Sequence, residues 1–120
     1  ANAYLLPVSG EIVTGLGEIS DSGYRSRGLT IAVSSGAQIV APAAGRVAYS
    51  GRYRGYGNII IIEHEAGWTS LITNMATIRV AVGDRVVQGA PVGQSGSDDP
   101  TVTVELRRNG RPIDIAALIG

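Results

Sequence analysis

Short runs of β-branched and aliphatic residues alternate with turn clusters along the whole chain. Leu29–Val33, Gln38–Ala41, Gly45–Ser50, Asn58–Glu63, Thr69–Thr73, Arg85–Val87 and Thr101–Leu106 each read as a strand. Ser35-Gly36, Gly55-Tyr56-Gly57, Ala66-Gly67 and Val82-Gly83-Asp84 supply the turns between them. The uninterrupted Ile59–Ile62 fits a central strand covered on both faces. A helical period is weak, around Asn74–Ile78 and Ile113–Leu118. The pattern predicts an all-β fold, two antiparallel sheets forming a sandwich or barrel with little helix. No internal repeat or linker interrupts it, so residues 1–120 read as one domain with its core over about 6–120.

The last predicted strand carries a second pattern. Side chains alternate across a strand, so Thr101, Thr103, Glu105 and Arg107 share one face. Asn109 to Asp114 then reads as a turn and a short return.

Composition narrows the chemistry. Formal charge is zero, with ten basic and ten acidic side chains, so nothing favours nucleic acid or an anionic membrane as partner. All ten basic residues are arginine. Two passages, Ala41–Val47 and Val82–Gly89, have the rhythm of lipoyl and biotinyl carriers, but the acceptor lysine those carriers need is missing. Without cysteine there is no disulfide, thiolate ligand or thiol nucleophile. No run is long enough to span a membrane and no leader pattern precedes Ala1, as expected of a mature chain or excised domain.

The remaining candidates are few. His64, the single histidine, closes a strand between Glu63 and Glu65; a relocated metal at this trio is one reading, a structural histidine the better one. Asp98 and Asp99 are adjacent and point oppositely on an extended chain, which suits a solvated loop. Ser95 has no nucleophile elbow around it. Arginine and tyrosine gather at Tyr49–Tyr56, with Tyr24, Arg25 and Arg27 upstream, the side chains most enriched in binding hot spots.

"LPVSGEIVTGLG", "RSRGLTIAVSSGAQIVAPAAGRVAYSGRYRGYGNIIIIEHEAGWTSLI", "VAVGDRVVQGAPVGQSGS" and "TVTVELRRNGRPIDIAALIG" stand in one order. From about Leu6 to Gly120 this ordered set resembles the LytM (lysostaphin-like) zinc endopeptidase domain, whose fold is a two-sheet β structure with a groove. Active members cleave peptidoglycan peptides with a zinc held by H-x-G-[ILV]-D and H-x-H motifs. The resemblance places Ser26 and Thr30 at the first pair of ligand positions and Thr101-Val102-Thr103 at the second motif. Asn74 falls where a further catalytic histidine stands, and His64 at a position that binds no metal in active members.

What the resemblance implies is a chain with no zinc, no cofactor and no hydrolysis of its own. It is similar to the EnvC-like murein hydrolase activators, a branch without the zinc ligands that binds N-acetylmuramoyl-L-alanine amidases in the periplasm during cell division. On that reading the metal-free groove is the partner site. Arg27, Thr30, Tyr53, Tyr56, Asn74, Thr101, Thr103 and Arg107 are its expected residues, with Arg27 and Arg107 offered to partner carboxylates. The alternative is a non-catalytic module that holds peptidoglycan itself.

Overall fold

A computed structural model describes residues 3–15, 17 and 27–119. Eleven strands follow one another: β1 Glu11–Thr14, β2 Leu29–Ala32, β3 Gln38–Val40, β4 Gly45–Tyr53, β5 Gly57–Glu63, β6 Trp68–Met75, β7 Thr77–Ile78, β8 Arg85–Val86, β9 Pro91–Gln94, β10 Thr101–Arg108 and β11 Arg111–Ile113. The helical element among the described residues is a 3-10 turn, Ile115–Ala117, capped where the Asp114 carboxylate accepts from the Ala116 N–H at 3.1 Å. The large sheet runs β1-β2-β10-β6-β5-β4-β8, with β11 paired to β10, and the small one β3-β9-β7; all pairs are antiparallel. The predicted two-sheet all-β architecture is present.

Alternation decides which face is which. On β10, Val102, Val104 and Leu106 are buried while Thr101, Thr103, Glu105 and Arg107 are only half-covered. The buried set joins Leu29, Ile31, Ile60, Ile62 and Ile72 of the large sheet with Ile39 and Val92 of the small sheet in one core. The opposite face of the large sheet is left to form a groove.

Three sequence expectations change. Asn74–Ile78 is not helical: Asn74 has φ 63° near the end of β6, and Thr77 pairs with Gln94 on β9. The short strands β1, β9 and β11 add to those predicted, β11 being the expected return after the Asn109-Gly110 turn. Ile59–Ile62 is central but not fully covered, because Ile61 faces the groove and is half-buried.

Candidate functional site

Cross-strand register stacks the groove face into three rows. In the first, Thr30 lies opposite Thr103, and Thr103 opposite Thr73. In the second, Glu105 faces Leu71, Leu71 faces Ile61 and Ile61 faces Tyr49. In the third, Arg107 faces Thr69, Thr69 faces Glu63, Glu63 faces Arg46 and Arg46 faces Arg85.

A groove of about 620 Å³ opens over these rows. Its floor is apolar, made by Ile59, Ile61 and Leu71 with the Thr73 side chain beside them. One wall is the β4–β5 hairpin, where Tyr49, Tyr53 and Tyr56 form a ring cluster. The Tyr49–Tyr53 centroids are 6.2 Å apart edge-on, and Tyr53–Tyr56 6.0 Å apart and tilted. Tyr53 and Tyr56 are about half exposed, at 52% and 54%, so they present ring surface to whatever enters. Arg27, Glu105 and Arg107 make the other wall.

Of the residues expected in the groove, Arg27, Tyr53, Tyr56 and Arg107 line the cavity together. Thr30, Thr101, Thr103 and Asn74 stand beside it at the β2–β10–β6 end. There the Thr30 and Thr103 hydroxyls bond each other at 3.0 Å, and the Asn74 amide donates to the Thr101 carbonyl at 2.7 Å. Ser26, Tyr24 and Arg25 lie outside the described residues.

Arg107, expected to offer its guanidinium to a partner carboxylate, donates from Nη2 to Glu105 Oε1 at 2.9 Å, two residues back on the same face. The carboxylate is well covered (13% exposed), and the Arg107 Nε–H is enclosed without a partner among the described residues. Gly28 lets the β10 backbone approach closely here: a Cβ would run into the Val104 carbonyl and stand 2.8 Å from Glu105 Cγ. Sequence reasoning placed Glu105 on the right face without assigning it a role. It passed over Ile59, Ile61, Leu71 and Thr73, and noted Tyr49 in the arginine–tyrosine cluster without placing it in the groove. Period two, counted back from Tyr53 to Tyr49, was the available signal.

The donors present do not suit zinc. Thr30 and Thr103 bring neutral hydroxyls that satisfy each other, whereas zinc takes imidazole, thiolate or carboxylate. Among the described residues no three or more His, Cys, Asp and Glu side chains are grouped to hold an ion. His64 is committed elsewhere. Its Nδ1 lies 2.7 Å from the Ala44 carbonyl and so carries the hydrogen; its Nε2 accepts from the Ser70 hydroxyl at 2.7 Å. Ser70 in turn accepts from the Tyr4 hydroxyl at 2.6 Å. Burial pushes the Tyr4 phenol up to about 12, against the lowering effect of its bond to Ser70. Glu63 is held by Arg46 at 3.0 Å, so the trio around His64 does not converge on a metal. The histidine is structural.

A two-sheet antiparallel β fold with a groove across its larger sheet is the architecture of LytM, or lysostaphin-like, domains. The match to the solved antimicrobial peptidase lysostaphin from Staphylococcus simulans has a TM-score of 0.80 at 20% identity, covering 95% of this chain and 53% of that one; it speaks for the fold. The chain belongs to Peptidase family M23, whose model matches residues 24–115. Among curated relatives, the "Lipoprotein NlpD/LppB homolog" of Pseudomonas aeruginosa is 32% identical over 112 residues, 90% of this chain and 37% of its own length. The "Murein hydrolase activator EnvC" of Escherichia coli is 33% identical over 118 residues, 95% of this chain and 28% of its own. The chain thus spans about a third of these relatives.

Proposed function

We propose that this chain is a catalytically inactive M23 domain that binds and switches on an N-acetylmuramoyl-L-alanine amidase in the bacterial periplasm during cell division. The observation that carries this reading is the groove itself. It is open, apolar-floored and walled by tyrosines, and mutually bonded hydroxyls stand where the resemblance puts ligands. Such a surface suits an amphipathic segment of a partner protein. Kinship with a relative named a murein hydrolase activator supports the choice of partner class.

The activator does no chemistry in this scheme. Preference for the open over the closed amidase is sufficient, and about 10⁴-fold differential affinity takes a 1:99 equilibrium to 99:1. Arg27, Tyr53 and Tyr56 are the side chains through which it would act, with Thr30, Asn74, Thr101, Thr103 and the Glu105-held Arg107 at the margins.

A second reading keeps the groove and changes the occupant. Arg27 has no ion pair among the described residues and could hold stem-peptide carboxylates of peptidoglycan. Calorimetric titration against purified amidases, beside pelleting with purified sacculi, separates the two. Saturable amidase binding that is weakened by Tyr53→Ala supports the activator. Sacculus binding with no amidase binding replaces it with the wall module.

A further inference from the structure

The arginines aligned on the groove face are not equivalent. Arg107 is neutralised by Glu105 and Arg46 by Glu63. Arg27 and Arg85 form no ion pair among the described residues. Arg85 stands directly opposite Arg46 across β4 and β8, a like-charge juxtaposition that costs stability in a sheet, and Glu63 answers only Arg46. A second cavity of about 700 Å³ opens beside Arg85, shared with Arg46, Glu63, Glu65 and Val87. Glu65 makes no ion pair with Arg85, and Val87 is 69% exposed, the most exposed large hydrophobic among the described residues.

Arg27, two residues before β2, and Arg85, on β8, stand at opposite sides of the strands that carry the groove. From β2 to β8 the order passes through β10, β6, β5 and β4. Five steps of about 4.8 Å make roughly 24 Å. A helix covers that distance in about 16 residues at 1.5 Å each. Between the ends lie Leu71 on β6 and Ile61 on β5, part of the apolar floor, in the row beside Thr69 and Glu63.

We propose that the cavity beside Arg85 is a second binding subsite. Arg85 there and Arg27 at the other end clamp carboxylates at the two ends of one amphipathic partner segment. This rests on the groove being a protein-partner site, and it names that partner's chemistry: an apolar face about 16 residues long with an acidic residue near each end. The neutralised pairs between the clamps leave no net charge to reject an apolar middle.

The test uses a capped 16-residue peptide with leucine and alanine on one face and glutamate at both ends, followed by fluorescence anisotropy. Versions with glutamine at one end or the other are its controls. Each Glu→Gln change weakens binding about 3- to 5-fold at low salt, as for a well-formed exposed ion pair. Arg85→Ala makes the protein indifferent to one of the two changes, Arg27→Ala to the other, and the double variant to both. Failure of the peptide to bind, or unchanged discrimination in Arg85→Ala, overturns the proposal. So does loss of sacculus pelleting in Arg85→Ala with peptide binding intact, which would give the subsite to the wall. Peptide discrimination without amidase binding leaves these clamps standing and removes the amidase reading. Amidase binding unaffected by Arg85→Ala does the reverse.

Discussion

Tyr4→Phe isolates one buried hydroxyl, and its effect reverses with pH. Tyr4 is 3% exposed and its phenol donates into the Ser70–His64 chain. At neutral pH the variant loses one hydrogen bond, while Ser70 keeps His64 as its acceptor. The cost is about 1 kcal/mol. Above neutrality a second effect enters. Burial raises the folded-state pKa from 10.0 to about 12, so the native protein keeps its proton where the unfolded chain gives it up. A raised pKa means the contribution is complete below pH 10 and is lost as pH climbs from 10 to 12. Two pKa units correspond to about 2.7 kcal/mol. Wild type should therefore lose about 2.7 kcal/mol that Tyr4→Phe does not lose. The variant, less stable at pH 8, becomes the more stable protein by pH 12. Urea melts of both proteins at steps from pH 8 to 12 read this directly, because every other titrating group cancels in the difference. A stability difference that stays flat across the range would refute the reasoning about the buried phenol.

Gly28→Ala drives a Cβ into the Val104 carbonyl, so the β2–β10 backbone must shift; it should cost about 1–3 kcal/mol in a denaturant melt. Tyr53→Ala and Tyr56→Ala remove half-exposed rings, so thermal stability should move by about 0.5 kcal/mol or less, while partner affinity in calorimetry falls by about tenfold or more. Zinc or a chelator should leave the thermal midpoint in place, since the paired Thr30 and Thr103 hydroxyls offer the ion nothing. A zinc site at 100 times its dissociation constant would add about 2.7 kcal/mol and show at once.

The sequence was most legible where one face of a strand is buried and the other is not. Thr101 to Arg107 alternates cleanly, and the structure follows it residue for residue. Legibility failed where a groove puts apolar side chains on an open face. Ile59 and Ile61 sit in the same isoleucine run as the core residues Ile60 and Ile62, and no periodicity separates floor from core. Asn74–Ile78 misled because its spacing is helical, while the left-handed backbone of Asn74 and pairing with β9 impose strand instead. β9 was hidden by Pro91 and Gly93, residues that weaken a strand reading. Gly93 is needed there, because a Cβ would run into the Thr77 backbone carbonyl of the paired strand β7. The Glu105–Arg107 pair was implicit in period two, which puts both side chains on one face of β10. Arg85 gave no signal until register placed it opposite Arg46.

On the proposed function, this domain activates an amidase and cuts nothing itself. Release of dye from labelled sacculi tests it most directly, with a purified periplasmic amidase alone, this protein alone, and the two together. The protein alone should release nothing, and the mixture should release dye well above the amidase alone, less so when Tyr53 and Tyr56 are both replaced by alanine. Dye released by this protein without an amidase would contradict it.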